Sequence, residues 1–169
     1  MSLTTEERIA RIHDLDLEPI VFKLITPDGK EPAKMTLGEA DNAVSLYRKF
    51  LILLLLHPSE CIPPSLLIDE VWHAHILDTS KYRVDCDDIF GYYLDHFPYL
   101  GQRGPDDAAR LQKAFATTQQ LFMSEFGIDL SLTATNCGTC CPGACTDHIR
   151  GGLAQNERPR PDRNTPVLV

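Results

Sequence analysis

From Ser65 to Phe90 the chain runs without a single proline or glycine. That is the feature that most restricts the fold. Such a stretch predicts one continuous helix of about six or seven turns, capped by Ser65 and closed near Gly91. The line Ile68-Asp69-Glu70-Val71-Trp72-His73-Ala74-His75-Ile76-Leu77 and its continuation to Cys86 contain the only Trp, two of the six His and one of the six Cys. One helix is therefore expected to present most of the chemically capable side chains.

On a regular helix, Asp69 and His73 lie about 40° apart with about 6 Å of rise between them. That spacing suits two ligands of one metal, or an imidazole and the carboxylate that orients it. His75, Thr79, Tyr82 and Cys86 fall on a second line, and His73 and His75 point about 160° apart. His75 is therefore expected to hydrogen-bond inside the protein, with Tyr82 as its partner. A metal at Asp69 and His73 needs a further donor from elsewhere, and His57, Cys61 and His96 are the candidates. The competing reading keeps these histidines as interior hydrogen-bonding groups among core residues such as Trp72, Ile76 and Leu77. A third possibility is nucleophilic chemistry pairing Cys86 with His96, across a helix end.

The flanking sequence predicts more helices. Thr4 or Thr5 caps a first one with Ile9, Ile12 and Leu15 at helical spacing. Pro19 opens a short helix over Ile20 to Ile25, for which a strand is the competitor, and Thr26-Pro27-Asp28-Gly29-Lys30 reads as a turn. Thr36 and Glu39 form a capping-box pattern for a helix from Leu37 to His57, buried nearly all round in its leucine-rich half. Asp106 or Asp107 opens the last helix, which reaches Phe126 with Ala109, Leu111, Ala114, Phe115, Thr118, Leu121 and Phe122 inward and ends at Gly127. The expected fold is an all-α, single-domain bundle of four to five helices over residues 1–130.

Residues 131–148 are different in kind. Asn136-Cys137-Gly138-Thr139-Cys140-Cys141-Pro142-Gly143-Ala144-Cys145-Thr146-Asp147-His148 offers Cys137, Cys140, Cys141, Cys145 and His148 as ligands for a thiolate-preferring ion, and Cys137-x-x-Cys140 has the spacing of a metal knuckle. A loose tail with reactive thiols is the plainer reading. Residues 149–169, rich in Pro, Arg, Asn and Gln, read as a disordered tail or a segment for docking a protein partner.

With a net charge of −8 the chain lacks the basic face that nucleic acid requires. The apolar run Phe50 to Leu56 is too short to span a membrane, and no secretory signal is visible. A cytoplasmic location is expected, where closely spaced cysteines point to metal chemistry more than to disulfides. Zinc or iron is the expected cofactor.

The pattern Ile68-Asp69-x-Val71-Trp72-His73-x-His75-Ile76-Leu77-x-Thr79-x-x-Tyr82-x-x-Asp85-Cys86 resembles the glycine-rich domain-containing protein-like family. Asp95-His96-x-Pro98 and Tyr47-x-x-Phe50-Leu51 extend the likeness, which covers roughly Leu15 to Phe126. The resemblance implies Asp69, Trp72, His73, His75, Tyr82, Cys86 and His96 as signature positions and implies no particular reaction. Larger members carry glycine-rich sequence after this domain, whose place here is taken by the short Cys/Gly segment.

Overall fold

The computed structural model describes residues 3–132, and every regular element among them is helical. In chain order these are α1 (Thr5–Asp14), α2 (Glu18–Ile25), α3 (Leu37–Leu56), α4 (Leu66–Leu77), α5 (Thr79–Phe90) and α6 (Pro105–Phe126), followed by a 3₁₀ turn at Leu130–Leu132. No helix among the described residues is long and apolar enough to cross a membrane.

The bundle is assembled round α3, which packs against α1, α2, α4 and α6. Its start is set locally: the Thr36 hydroxyl accepts from the Glu39 N–H while the Glu39 carboxylate accepts from the Thr36 N–H. Ala40, Ala43, Tyr47, Phe50 and Leu53 are each fully buried. From Phe50 to Leu54 every side chain is buried, as the leucine-rich pattern predicts. Thr4 supplies the same reciprocal cap to α1, and the segment after Pro19 is helix rather than strand. An isolated bridge between Asp28 and Glu31 closes the expected turn.

The central expectation needs correcting. Ser65 to Phe90 is not one helix but two, which makes the α-helices among the described residues six. At Asp78 the backbone leaves helical geometry (φ −82°, ψ 71°). The Asp78 N–H still donates to the His75 carbonyl at 3.1 Å, and its own carbonyl accepts from the Tyr82 N–H at 2.9 Å. Its carboxylate accepts from the Lys81 N–H and the Ser80 hydroxyl, each at 3.4 Å. One residue therefore ends α4 and caps α5. The physical reason lies in Asp78-Thr79-Ser80, three side chains that compete with the helix for backbone hydrogen bonds and favour caps. The break lets α5 fold back against α4.

The last helix also differs from expectation. Of its predicted inward residues only Thr118 and Phe122 are buried, and Ala109 is exposed. Asp107 is withdrawn from capping. Its carboxylate accepts from the Gly101 N–H at 2.6 Å and pairs with Arg103 Nη2 at 2.7 Å, which pins the loop between α5 and α6. Gly101 (φ +87°) sits in backbone geometry that L side chains rarely adopt, and a Cβ there would also press on the Leu111 side chain.

Phe50 packs on the buried Trp72 with ring centroids 5.3 Å apart, coupling the α3 core to the helix that carries the polar residues. Replacing Phe50 with Ala leaves a void at that seam and should lower stability by about 3–5 kcal/mol. Urea unfolding of the two proteins checks this.

Candidate metal centre

Two polar clusters grow from α4, on opposite sides of the helix as its geometry requires. They differ in whether their hydrogen-bonding capacity is used up.

The first centres on His75, which is 1% exposed. Its Nδ1 lies 3.0 Å from the Tyr47 hydroxyl and its Nε2 lies 2.9 Å from Asp85 Oδ2. A neutral imidazole that donates from Nε2 and accepts at Nδ1 satisfies both partners. Burial pushes the Tyr47 phenol well up, with Cys86 and Asp85 adding to the effect, so its O–H stays in place to donate. Burial alone would raise the Asp85 carboxyl too. Hydrogen bonds from His75 and Lys81 together with the Lys81 charge, 2.9 Å away, overcome that and hold it below the usual range. His75 meets Tyr82 only ring to edge, at 4.9 Å between centroids, so the partner expected from helical spacing is not the one observed.

Beside this cluster runs a fully buried chain. Trp72 Nε1–H donates to the Tyr82 hydroxyl at 2.8 Å, and that hydroxyl donates to the Leu94 carbonyl at 2.6 Å. It joins α4 to α5 and both to the segment that delivers His96 two residues later.

The second cluster is Asp69, His73 and His96. His96 Nε2 lies 3.2 Å from Asp69 Oδ1, His73 Nε2 lies 3.6 Å from Asp69 Oδ2, and the two Nε2 atoms are 3.1 Å apart. All three groups offer a ligand atom within 4.8 Å of the others. The Asp69 side chain is 2% exposed, that of His96 9% and that of His73 34%. The site is thus sealed behind the carboxylate and open beside His73. Trp72 meets the His96 ring at 4.8 Å and an interplanar angle of 74°, which limits how the imidazole can turn.

A buried carboxylate is costly unless a cation or several donors face it. Here two imidazole nitrogens face both it and each other. If both rings are neutral, either an Nε2 lone pair faces the carboxylate or two Nε2–H groups stand donor to donor at 3.1 Å. Two nitrogens bound at 2.0–2.1 Å to a tetrahedral ion would stand about 3.3 Å apart, close to what is seen. A set of two nitrogens and one carboxylate oxygen suits zinc or iron(II).

Of the three extra donors suggested by sequence, His96 is the one brought to Asp69 and His73. His57 lies instead by α6, with Nε2 3.7 Å from Glu125 Oε1. Cys61 lines a cavity against α6. Burial pushes the Cys86 thiol up, against the Leu94 backbone and the Tyr82 hydroxyl, which is the opposite of what an activated thiolate needs. The cluster of Cys137, Cys140, Cys141, Cys145 and His148 lies outside the described residues, as does the proposed tail.

Sequence spacing did not single out Asp85 and Tyr47 as partners of His75, or Leu94 as the terminus of the Trp72 chain. No local signal marks them, since Tyr47 and His75 sit on different helices, the His75–Asp85 and Trp72–Tyr82 pairs cross the break at Asp78, and Leu94 lies in the segment after α5.

The class is thus defined: an all-α bundle carrying a half-buried cluster of two histidines and one aspartate. The family model described as UCP032817-like matches residues 7–121, and the chain belongs to that family. No curated protein and no solved structure matches it.

Two outcomes follow from this geometry. Tyr82→Phe leaves the Trp72 N–H and the Leu94 carbonyl without their partner and should cost about 1–3 kcal/mol in urea unfolding. Asp85, held below its unfolded value, contributes stability that is complete above about pH 4 and is lost as pH falls through the lower folded value. Unfolding free energies measured from neutral pH downward should therefore show a shallower acid loss in Asp85→Asn than in the parent.

Proposed function

We propose that Asp69, His73 and His96 bind one divalent transition-metal ion, zinc or iron(II), and that the chain is a metal-dependent enzyme whose open coordination position faces solvent beside His73. The observation that carries this reading is the buried Asp69 carboxylate with two imidazole Nε2 atoms 3.1 Å apart in front of it. Three ligands and one free position match catalytic sites, whereas structural zinc sites use all four positions for protein. Such an ion supplies a Lewis acid and a lowered pKa for water. The chain's own residues hold and orient the ligands: Trp72 flanks His96, and the Trp72–Tyr82–Leu94 chain sets where the His96 segment lies.

The second reading makes the three groups a non-catalytic tie between α4 and the loop before α6. The 3.2 Å contact from His96 to Asp69 favours it, since that is already a hydrogen-bond distance. The two readings part over whether a metal is needed. We further propose kinship with the glycine-rich domain-containing protein-like proteins, on the Trp72-His73-x-His75 pattern. The Cys137 to His148 segment is proposed as a separate thiolate site, in a chain kept in a reducing cytoplasm.

Elemental analysis of protein purified without chelator or affinity-tag nickel distinguishes the readings, on the full chain and on one stopped at about Thr135. About one equivalent of metal is expected in the shortened chain, falling below about a tenth in Asp69→Asn and His96→Ala. Chelation should lower the melting temperature of the shortened chain and leave those variants unmoved. A shortened chain that holds less than about a tenth of an equivalent and ignores the chelator would be a structural module instead.

A further inference from the structure

One face of α6 carries Arg110, Lys113, Ala114 and Thr117, one helical turn after another. With Glu60, Cys61 and Leu100 these residues line a cavity of about 310 Å³, at the lower end of the range for small-molecule sites. None of Asp69, His73 and His96 lines it, so nothing here depends on the metal reading.

Some Lys and Arg side chains among the described residues are tied into ion pairs and others, those at this cavity included, are not. Arg11, Lys23, Lys34, Lys81 and Arg103 each pair with a carboxylate, as expected in a chain of net charge −8. Arg110 and Lys113 form no ion pair among the described residues, and Glu60, which also lines the cavity, forms none either. Two cations one turn apart on α6 and a carboxylate from the segment between α3 and α4 thus line the same cavity. Leu100, which is buried, adds an apolar side chain to the lining.

We propose that this cavity binds a small organic zwitterion, with its carboxylate or phosphate group on Arg110 and Lys113 and its ammonium group on Glu60. Guanidinium and ammonium groups are the side chains that recognise such oxyanions, by paired hydrogen bonds and by charge respectively. The thiol of Cys61, half-buried on the same lining, acts as a built-in reporter.

The test follows iodoacetamide alkylation of Cys61 in the full chain by peptide mass spectrometry, with γ-aminobutyrate or O-phosphoethanolamine as probe at constant ionic strength. Butyrate and inorganic phosphate serve as amine-free controls. Calorimetric titration of the same proteins gives a second reading that does not need the thiol. Expected is saturable protection by at least one amine-bearing probe, slowing alkylation about tenfold at ten times its Kd. That protection and the binding heat should vanish in the Arg110→Ala/Lys113→Ala protein, whose substituted side chains are both exposed. Absence of saturable binding by both zwitterions overturns the proposal. Equal protection by the amine-free controls, or protection that survives the double substitution, overturns it as well.

Discussion

The turn of the chain at Asp78 is the constraint on which the rest of this structure depends. On a continuous helix, Trp72 and Tyr82 would stand about 15 Å apart along the axis, and so would His75 and Asp85. With the helix broken and folded back, the indole N–H sits 2.8 Å from the Tyr82 hydroxyl and the His75 Nε2 sits 2.9 Å from Asp85. Each of these groups is buried or nearly so, and each would be a heavy penalty if left unpaired. The break thus supplies partners that α4 alone cannot. The pairings in turn hold the two half-helices together, because separating them would leave the same polar atoms stranded in an apolar core.

Seen from α4, the molecule contrasts two histidine environments. His75 has one acceptor and one donor for its two ring nitrogens, and it has no capacity left. His73 and His96 share a single carboxylate and face one another. The first arrangement explains itself as architecture. The second leaves two imidazole nitrogens facing one buried carboxylate and each other, a set of ligand atoms that could hold a metal ion. Exposure follows the same division, since His75 is sealed whereas the His73 side chain is 34% exposed.

Much of the fold was legible in the sequence because it is set by local chemistry. The Thr36–Glu39 cap, the Ser65 cap, the glycine ends at Gly91 and Gly127 and the buried leucine run of α3 all depend on neighbours within a few residues. The break at Asp78 was hidden for a related reason. No proline or glycine marks it, and the competition between Asp78-Thr79-Ser80 side chains and the helix backbone is settled by what packing rewards. Asp107 misled in the same way: it looks like a helix-starting residue, but its carboxylate is taken by Gly101 and Arg103. Leu111 and Phe115 fit an inward stripe by spacing, yet α6 lies near the surface and leaves them only partly covered.

By itself the sequence determined an all-helical domain over the described residues, the positions of most helix ends, and Asp69 with His73 as neighbours on one helical face. These follow from 3.6-residue periodicity and capping, which act over a few residues. Only the tertiary structure decided that His96, and not His57 or Cys61, completes that pair, and that Tyr47 and Asp85 are the partners of His75. Those choices join atoms far apart in the chain. They rest on which helices pack together and on the need of every buried polar group for a partner, and neither can be read from spacing along one segment.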